Sequence, residues 1–334
     1  MRVFHFGVIA LFSALALSTT SHAQDQNAPV RIEIQARELQ GFDKRDSKKR
    51  RFGELEFIGG VVLRSTHKHF GGFSGLYIAL DGMSFVSHSD RGHWLRGKLK
   101  LEGDRVIGIE NAEMAPMRGP DGRTLNSRRW YDTESLTSDG ENFYVGIERA
   151  NVILRYRMAD GFNARGIPIQ TPNSIRNLPF NQGLEGLAYV PKGMPLAGSL
   201  IAVSELGLDE KGNILAFILG GQTPGTFTIK RIGMFEISDA AISPTGHLVI
   251  VERYFRWISG IHLRIRAIPL AEIKPGVIAD GKVLLEADNY FEIDNMEALA
   301  ITKNASGQIV FTLISDDNFN YFQRNVLLRF VWPQ

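Results

Sequence analysis

Glu134-Ser135-Leu136-Thr137-Ser138-Asp139-Gly140-Glu141-Asn142-Phe143-Tyr144-Val145-Gly146-Ile147-Glu148 reads as a strand, a tight turn and a second strand, with an acid at each end. Phe143 to Ile147 is rich in aromatic and β-branched residues, which fit a pleated surface. Asp139-Gly140 supplies the turn, because Gly adopts the backbone angles that a tight hairpin demands. A third strand follows at Val152 to Arg157, and an outer strand is expected after it.

The pattern recurs along the chain. Its openings are Ser74-Gly75-Leu76, Glu134-Ser135-Leu136, Glu185-Gly186-Leu187, Asp239-Ala240-Ala241 and Glu297-Ala298-Leu299, and its ends are Asp90, Glu148, Glu205, Glu252 and Asp316. From Leu76 the third residues of the openings follow one another at intervals of 60, 51, 54 and 58. A period of this size with about four strands in each repeat is the signature of a β-propeller. The fold class is therefore all-β, with five blades favoured. The last repeat ends its third strand at Leu327 to Val331, and the surplus run Glu56 to Leu63 can supply its fourth. An N-terminal strand that closes the ring would hide both sheet edges. A sixth, degenerate blade drawn from residues 30–63 stays open as an alternative.

Composition narrows the function classes. The chain has 334 residues, 44% hydrophobic and 22% charged, and Lys and Arg exceed Asp and Glu by only two. No global field therefore points to nucleic acid or to anionic lipid. The absence of Cys removes thiol nucleophiles, thiolate metal sites, disulfides and a lipidated-Cys anchor.

Residues 1–23 read as a signal peptide: a basic start, an apolar run from Val8 to Leu17, and small residues at Ser21 and Ala23 before the polar Gln24. The expected organisation is that peptide, an N-terminal segment over 24–54 with a basic linker, and the propeller over 55–334. The expected location is periplasmic or secreted.

Neighbouring antiparallel strands place the start of one beside the end of the other. Glu134 should thus meet Glu148, Glu185 should meet Glu205, Asp239 should meet Glu252, and Glu297 should meet Asp316, all at one mouth of the central channel. With Asp90 the ring would hold nine carboxylates. Two of them about 5 Å apart repel by about 3 kcal/mol at an effective dielectric of about 20. Such a ring calls for cations. Arg91, Arg149 and Arg253 each follow directly after one of the expected acids, and guanidinium suits bidentate pairing. The other source is a metal with hard oxygen ligands, for which Ca2+ is the natural candidate outside the cytoplasm. The eight metal-ligand candidates are Glu134, Glu148, Glu185, Glu205, Asp239, Glu252, Glu297 and Asp316. The alternative for each is a strand-end acid that pairs with Arg and holds blades together.

Phe73-Ser74-Gly75-Leu76, Asp90-Arg91-Gly92, Glu134-Ser135-Leu136, Asn181-Gln182-Gly183-Leu184-Glu185-Gly186-Leu187, Asn295-Met296-Glu297-Ala298-Leu299 and Ser315-Asp316-Asp317-Asn318-Phe319 occur in this order. As a set they resemble the phytase-like family described as having esterase-like activity of phytase. The resemblance runs from about residue 55 to 331. It implies an exported bacterial propeller and hydrolysis of phosphate or other esters.

Other catalytic templates are weak. Gly72-Phe73-Ser74-Gly75-Leu76 falls one residue short of a nucleophile elbow and lacks its strand-to-helix setting. His67, His69, His88 and His93 cluster in the first repeat, and as general bases they would titrate near neutral pH. The basic run from Lys44 to Arg51 reads as a solvated loop. The catalytic candidates are Glu134, Glu185, Glu297, His88, Arg91, Arg149 and Arg253. Two function classes follow. One is a metal-assisted ester hydrolase; the other is a non-catalytic periplasmic propeller that binds a small ligand or a protein over the same mouth. The expected partner is a small ester or anionic ligand, with no nucleic acid, no stable membrane anchor and a monomeric chain.

Overall fold

The computed structural model describes residues 28–333. Five antiparallel sheets form the five blades of a propeller. From the channel outward, blade 1 runs through Phe73–Ile78, Ser84–Ser89, His93–Glu102 and Arg105–Pro116. Blade 2 is Thr133–Ser138, Asn142–Ile147, Val152–Arg157 and the short Ile167–Pro168. Blade 3 is Leu184–Tyr189, Ser199–Leu208, Ile214–Gly220 and Gly225–Ile229. Ile278–Ala279 adds to its edge in parallel. Blade 4 is Glu236–Ser243, His247–Arg256, Gly260–Pro269 and Lys282–Ala287. Blade 5 begins with Asn295–Lys303, Ile309–Asp316 and Asn325–Trp332.

The fourth strand of blade 5 is Leu55–Arg64, which pairs antiparallel with Asn325–Trp332 from Asn325 opposite Leu63 to Val331 opposite Glu56. The ring is closed by that strand, as the unfinished last repeat implies. The preceding residues form no sixth blade. Gln35–Glu38 pairs outside the closing strand, and Val30–Arg31 pairs with the outer strand of blade 1. The N-terminal segment before residue 55 is thus partly built into two sheets, because the outer edges of blades 5 and 1 still offer unpaired backbone. Lys44 to Arg51 is exposed, as a solvated loop should be.

Five hydrophobic clusters fill the five seams between neighbouring blades. The seam between blades 5 and 1 brings Leu76, Ile78 and Leu95 against Val61, Leu63 and Leu327. Each fully buried side chain of this kind stabilises by about 1.5–3 kcal/mol. The seams explain the small residue that follows the first position of each opening. A Cβ on Gly75 would lie 2.4 Å from His88 Nε2 and 2.7 Å from Leu136 Cβ of the next inner strand, and one on Gly186 would lie 2.9 Å from Ala240 Cβ. Inner strands touch in ring order, from blade 1 round to blade 5 and back. Among the described residues, no helix is long and apolar enough to cross a membrane. The signal-peptide reading lies outside the described residues.

Candidate functional site

Every inner hairpin carries a bulge at the same place. In blade 2 the pairing steps from Ser135 opposite Gly146 to Thr133 opposite Ile147, which leaves Glu134 without a partner. The equivalent unpaired residues are Ser74, Glu185, Ser238 and Glu297. A bulge re-aims its side chain out of the sheet, and three of these five are Glu. On the second strand, the residues one past the partner of the residue that precedes the bulge are Asp90, Glu148, Glu205, Arg253 and Asp316, and the last two are themselves still paired, with Glu236 and Asn295. These two sets of five form the rim of one mouth.

Blade 4 departs from the expected ring by one residue on both strands. Ser238, not Asp239, occupies the bulge, and Arg253, not Glu252, occupies the rim. A one-residue slip in a strand sends a side chain to the other face. Asp239 therefore points into the seam with blade 5. There its carboxylate accepts the backbone N–H groups of Ala240 and Leu299, both at 2.7 Å. Glu252 is fully buried and accepts four hydrogen bonds from Arg264 and Arg266 at 2.7–3.1 Å. Those bonds use all four lone-pair positions of a carboxylate. Asp239 and Glu252 thus do not meet at the mouth, and Glu252 has no position left for a cation.

The remaining expected acids do gather. Asp132, Glu134 and Glu148 each bring a carboxylate oxygen within 4.8 Å of the others, and so do Glu148, Glu185 and Glu205. Glu148 belongs to both trios. Asp132 is a functional candidate that the repeat did not reveal, because it precedes the opening; its position two residues before Glu134 was the available signal. Glu297 and Asp316 complete the far side of the ring, and each of them is buried.

Burial governs the charges here. It pushes Glu148 up to about 7, with the Gly183 N–H pulling the other way, and Glu205 up to about 8, opposed by Arg253. Burial, then the neighbouring acids, hold Glu134, Glu185 and Asp316 well above the usual carboxylate range. Asp90 is raised to about 6 for the same first reason. Burial opposes the charge on Arg253, but Glu297, Glu185 and Glu205 outweigh it and raise its pKa. Arg253 reaches Glu205 Oε1 at 3.3 Å, Glu297 Oε1 at 3.2 Å and Asn295 Oδ1 at 3.0 Å. It is an internal counter-ion that joins blades 3, 4 and 5.

The other two rim arginines stand elsewhere. Arg91 lies over the Phe319 ring at 3.5 Å from its centroid. Arg149 pairs with Asp132 and lies over Tyr131 and Phe180. Both line a pocket of about 320 Å3 with Asp90, Asn126, Tyr131 and Asp132. His88 is not at the mouth. It is fully buried in the seam, its Nε2 is 3.2 Å from Ser135 O, and burial lowers its pKa to about 4. His69 and His93 stack on one another at 3.9 Å. At the opposite end the channel widens into a cavity of about 650 Å3, with apolar walls that include Leu76, Leu136, Ala240 and Leu299.

The oxygen-only donor set fits a hard divalent cation. So do the buried oxygens Glu185 Oε2 and Glu297 Oε2, which have no hydrogen-bond partner. Fold and site together define a five-bladed propeller with a carboxylate-rich mouth. The chain belongs to the phytase-like family, esterase-like activity of phytase, whose model matches residues 68–319. Among solved structures it is similar to glutaminyl cyclase from Myxococcus xanthus, at 12% identity and a TM-score of 0.41 over 83% of this chain and 95% of that one. It is also similar to the PQQ-bound form of aldose sugar dehydrogenase from Streptomyces coelicolor, at 13% identity and a TM-score of 0.38 over 81% of this chain and 97% of that one. No curated protein matches the chain.

Proposed function

We propose that the chain is an exported hydrolase of phosphate or other esters that works with Ca2+ at the acidic mouth. The observation that carries this reading is the contiguity of the pocket and the first trio. Asp132 belongs to both, so carboxylates that suit a cation lie directly beside two guanidinium groups that suit an anion. Asp132, Glu134 and Glu148 would hold the cation. Bound there, a cation would supply Lewis-acid polarisation of the ester and an activated water. Arg91 and Arg149 bind and orient the anionic part of a small ester, and Arg149 is itself held by Asp132. Asp90 lines the same pocket with an unpartnered Oδ1, and burial raises its pKa to about 6, so it is able to carry a proton there. Arg253 is engaged by three partners and serves the architecture of the ring.

A panel of phosphate and carboxylic esters, assayed with calcium and with chelator, tests the reading. Calcium-dependent turnover that is lost in Glu134→Gln is expected. If no ester turns over while small anions still bind, the propeller is a ligand-binding module instead. For the export reading, mass spectrometry of periplasmic material should find an N-terminus near Gln24; an intact Met1 form confined to the cytosol would refute it. A monomeric chain free of nucleic acid is expected on gel filtration.

A further inference from the structure

The proposed function uses one trio, and the mouth holds a second. Glu148, Glu185 and Glu205 each bring a carboxylate oxygen within 4.8 Å of the others, and all three are buried. Their donors are few. Glu148 Oε1 accepts the Gly183 N–H at 3.0 Å, and Glu205 Oε1 accepts from Arg253 at 3.3 Å. Glu185 is 95% buried, and its Oε2 has no partner at all. Leaving a buried carboxylate oxygen unpaired costs more than a neutral polar atom would, so an oxygen in this position marks a missing donor. Arg253 does not fill that place: its Nη1 and Nη2 groups go to Asn295, Glu205 and Glu297, and its buried Nε makes no hydrogen bond to Glu185.

We propose that Glu148, Glu185 and Glu205 form a second divalent-cation position, which shares Glu148 with the first, so that one carboxylate bridges two cations across blades 2 and 3. This rests on the reading that the mouth binds Ca2+, and it adds the count and the bridge. Paired cations held close together are a recurrent device for clamping phosphate esters. The first position faces the pocket with Arg91 and Arg149, whereas the second lies beside Arg253, which reaches Glu205 at 3.3 Å.

Calorimetric titration of the chelator-stripped full chain with calcium chloride tests this without any assay of activity. Two calcium ions per chain are expected. Glu185→Gln should reduce the count to one, and Glu205→Gln provides the same test should the first variant fail to fold. Glu134→Gln should remove the other ion, and Glu148→Gln should weaken both. One ion that persists in Glu185→Gln and Glu205→Gln but is lost in Glu134→Gln overturns the second position and leaves the first standing. Two ions that both persist in Glu185→Gln and Glu205→Gln also overturn it. Absence of calcium binding to the unaltered chain overturns both positions.

Discussion

The backbone N–H of Gly183 donates to Glu148 Oε1 at 3.0 Å, so the loop that enters blade 3 holds the carboxylate common to both trios of blade 2 and blade 3. A Cβ on Gly183 would lie 2.3 Å from Asn151 Oδ1 and 3.0 Å from Glu148 O. Gly183→Ala should therefore displace the bridge without removing a ligand. The expected result is a calcium affinity weaker by about 10- to 100-fold, as for loss of an outer partner at a metal site. An unchanged affinity in a calorimetric titration would show that Glu148 does not need this donor.

Arg253 is the one basic residue in the rim position that Asp90, Glu148, Glu205 and Asp316 occupy in the other blades. Its removal leaves Glu205 and Glu297 without their ion pair. Arg253→Met should destabilise the chelated protein by about 3 kcal/mol, since breaking a largely buried pair strands a charge. Calcium should offset part of that loss. Urea denaturation with chelator and with calcium would measure both, and an equal deficit in the two conditions would argue against cation binding near Glu205.

Glu252 separates stability from site chemistry. Its bonds to Arg264 and Arg266 lie wholly inside blade 4, with all three side chains at most 3% exposed. Glu252→Gln should cost about 3–5 kcal/mol by leaving two buried guanidinium groups undercompensated. Calcium stoichiometry should not change in the fraction that folds. A fall in stoichiometry would return Glu252 to the mouth.

His88 sets a pH dependence of definite sign. Its folded pKa, about 4, lies below its ordinary value of 6.5, because burial disfavours the imidazolium. The unfolded chain therefore takes up this proton first, and stability falls as pH drops from 6.5 towards 4. The full effect is on the order of 3 kcal/mol. The raised mouth acids act in the opposite sense, because the folded state keeps their protons at pH values where the unfolded chain has lost them. The difference between unaltered protein and His88→Gln isolates the histidine. Denaturation series at pH 7 and pH 5 should show a shallower acid slope in the variant, and parallel slopes would refute the assignment.

The period, the five blades and the closing strand were legible because they rest on hairpins whose apolar runs and Gly turns survive any uncertainty in register. The acids of blades 2, 3 and 5 were legible for the same reason. Blade 4 was misread because Asp239 and Glu252 are each adjacent in sequence to the true rim residues, Ser238 and Arg253. Composition favours an acid at both places, whereas the bulge sets the register. His88 looked available beside Asp90-Arg91, yet pairing opposite Gly75 turns it into the seam. The position of Arg253 inside the ring depends on contacts among three blades, which no local pattern encodes.

Leu55–Arg64 lies between Gln35–Glu38 and the final strand Asn325–Trp332, so the last blade is assembled from distant parts of the chain. The consequence is one of order in time. Blades 1 to 4 can form from local hairpins as the polypeptide emerges, but the ring stays open until its last strand arrives, and such long-range pairing is slow to find. During that interval the early strand waits with Phe57, Val61 and Leu63 uncovered, a sticky edge on an incomplete cylinder. A chain threaded across a membrane from its N-terminus would carry that edge through first, and would latch only after Asn325–Trp332 had followed.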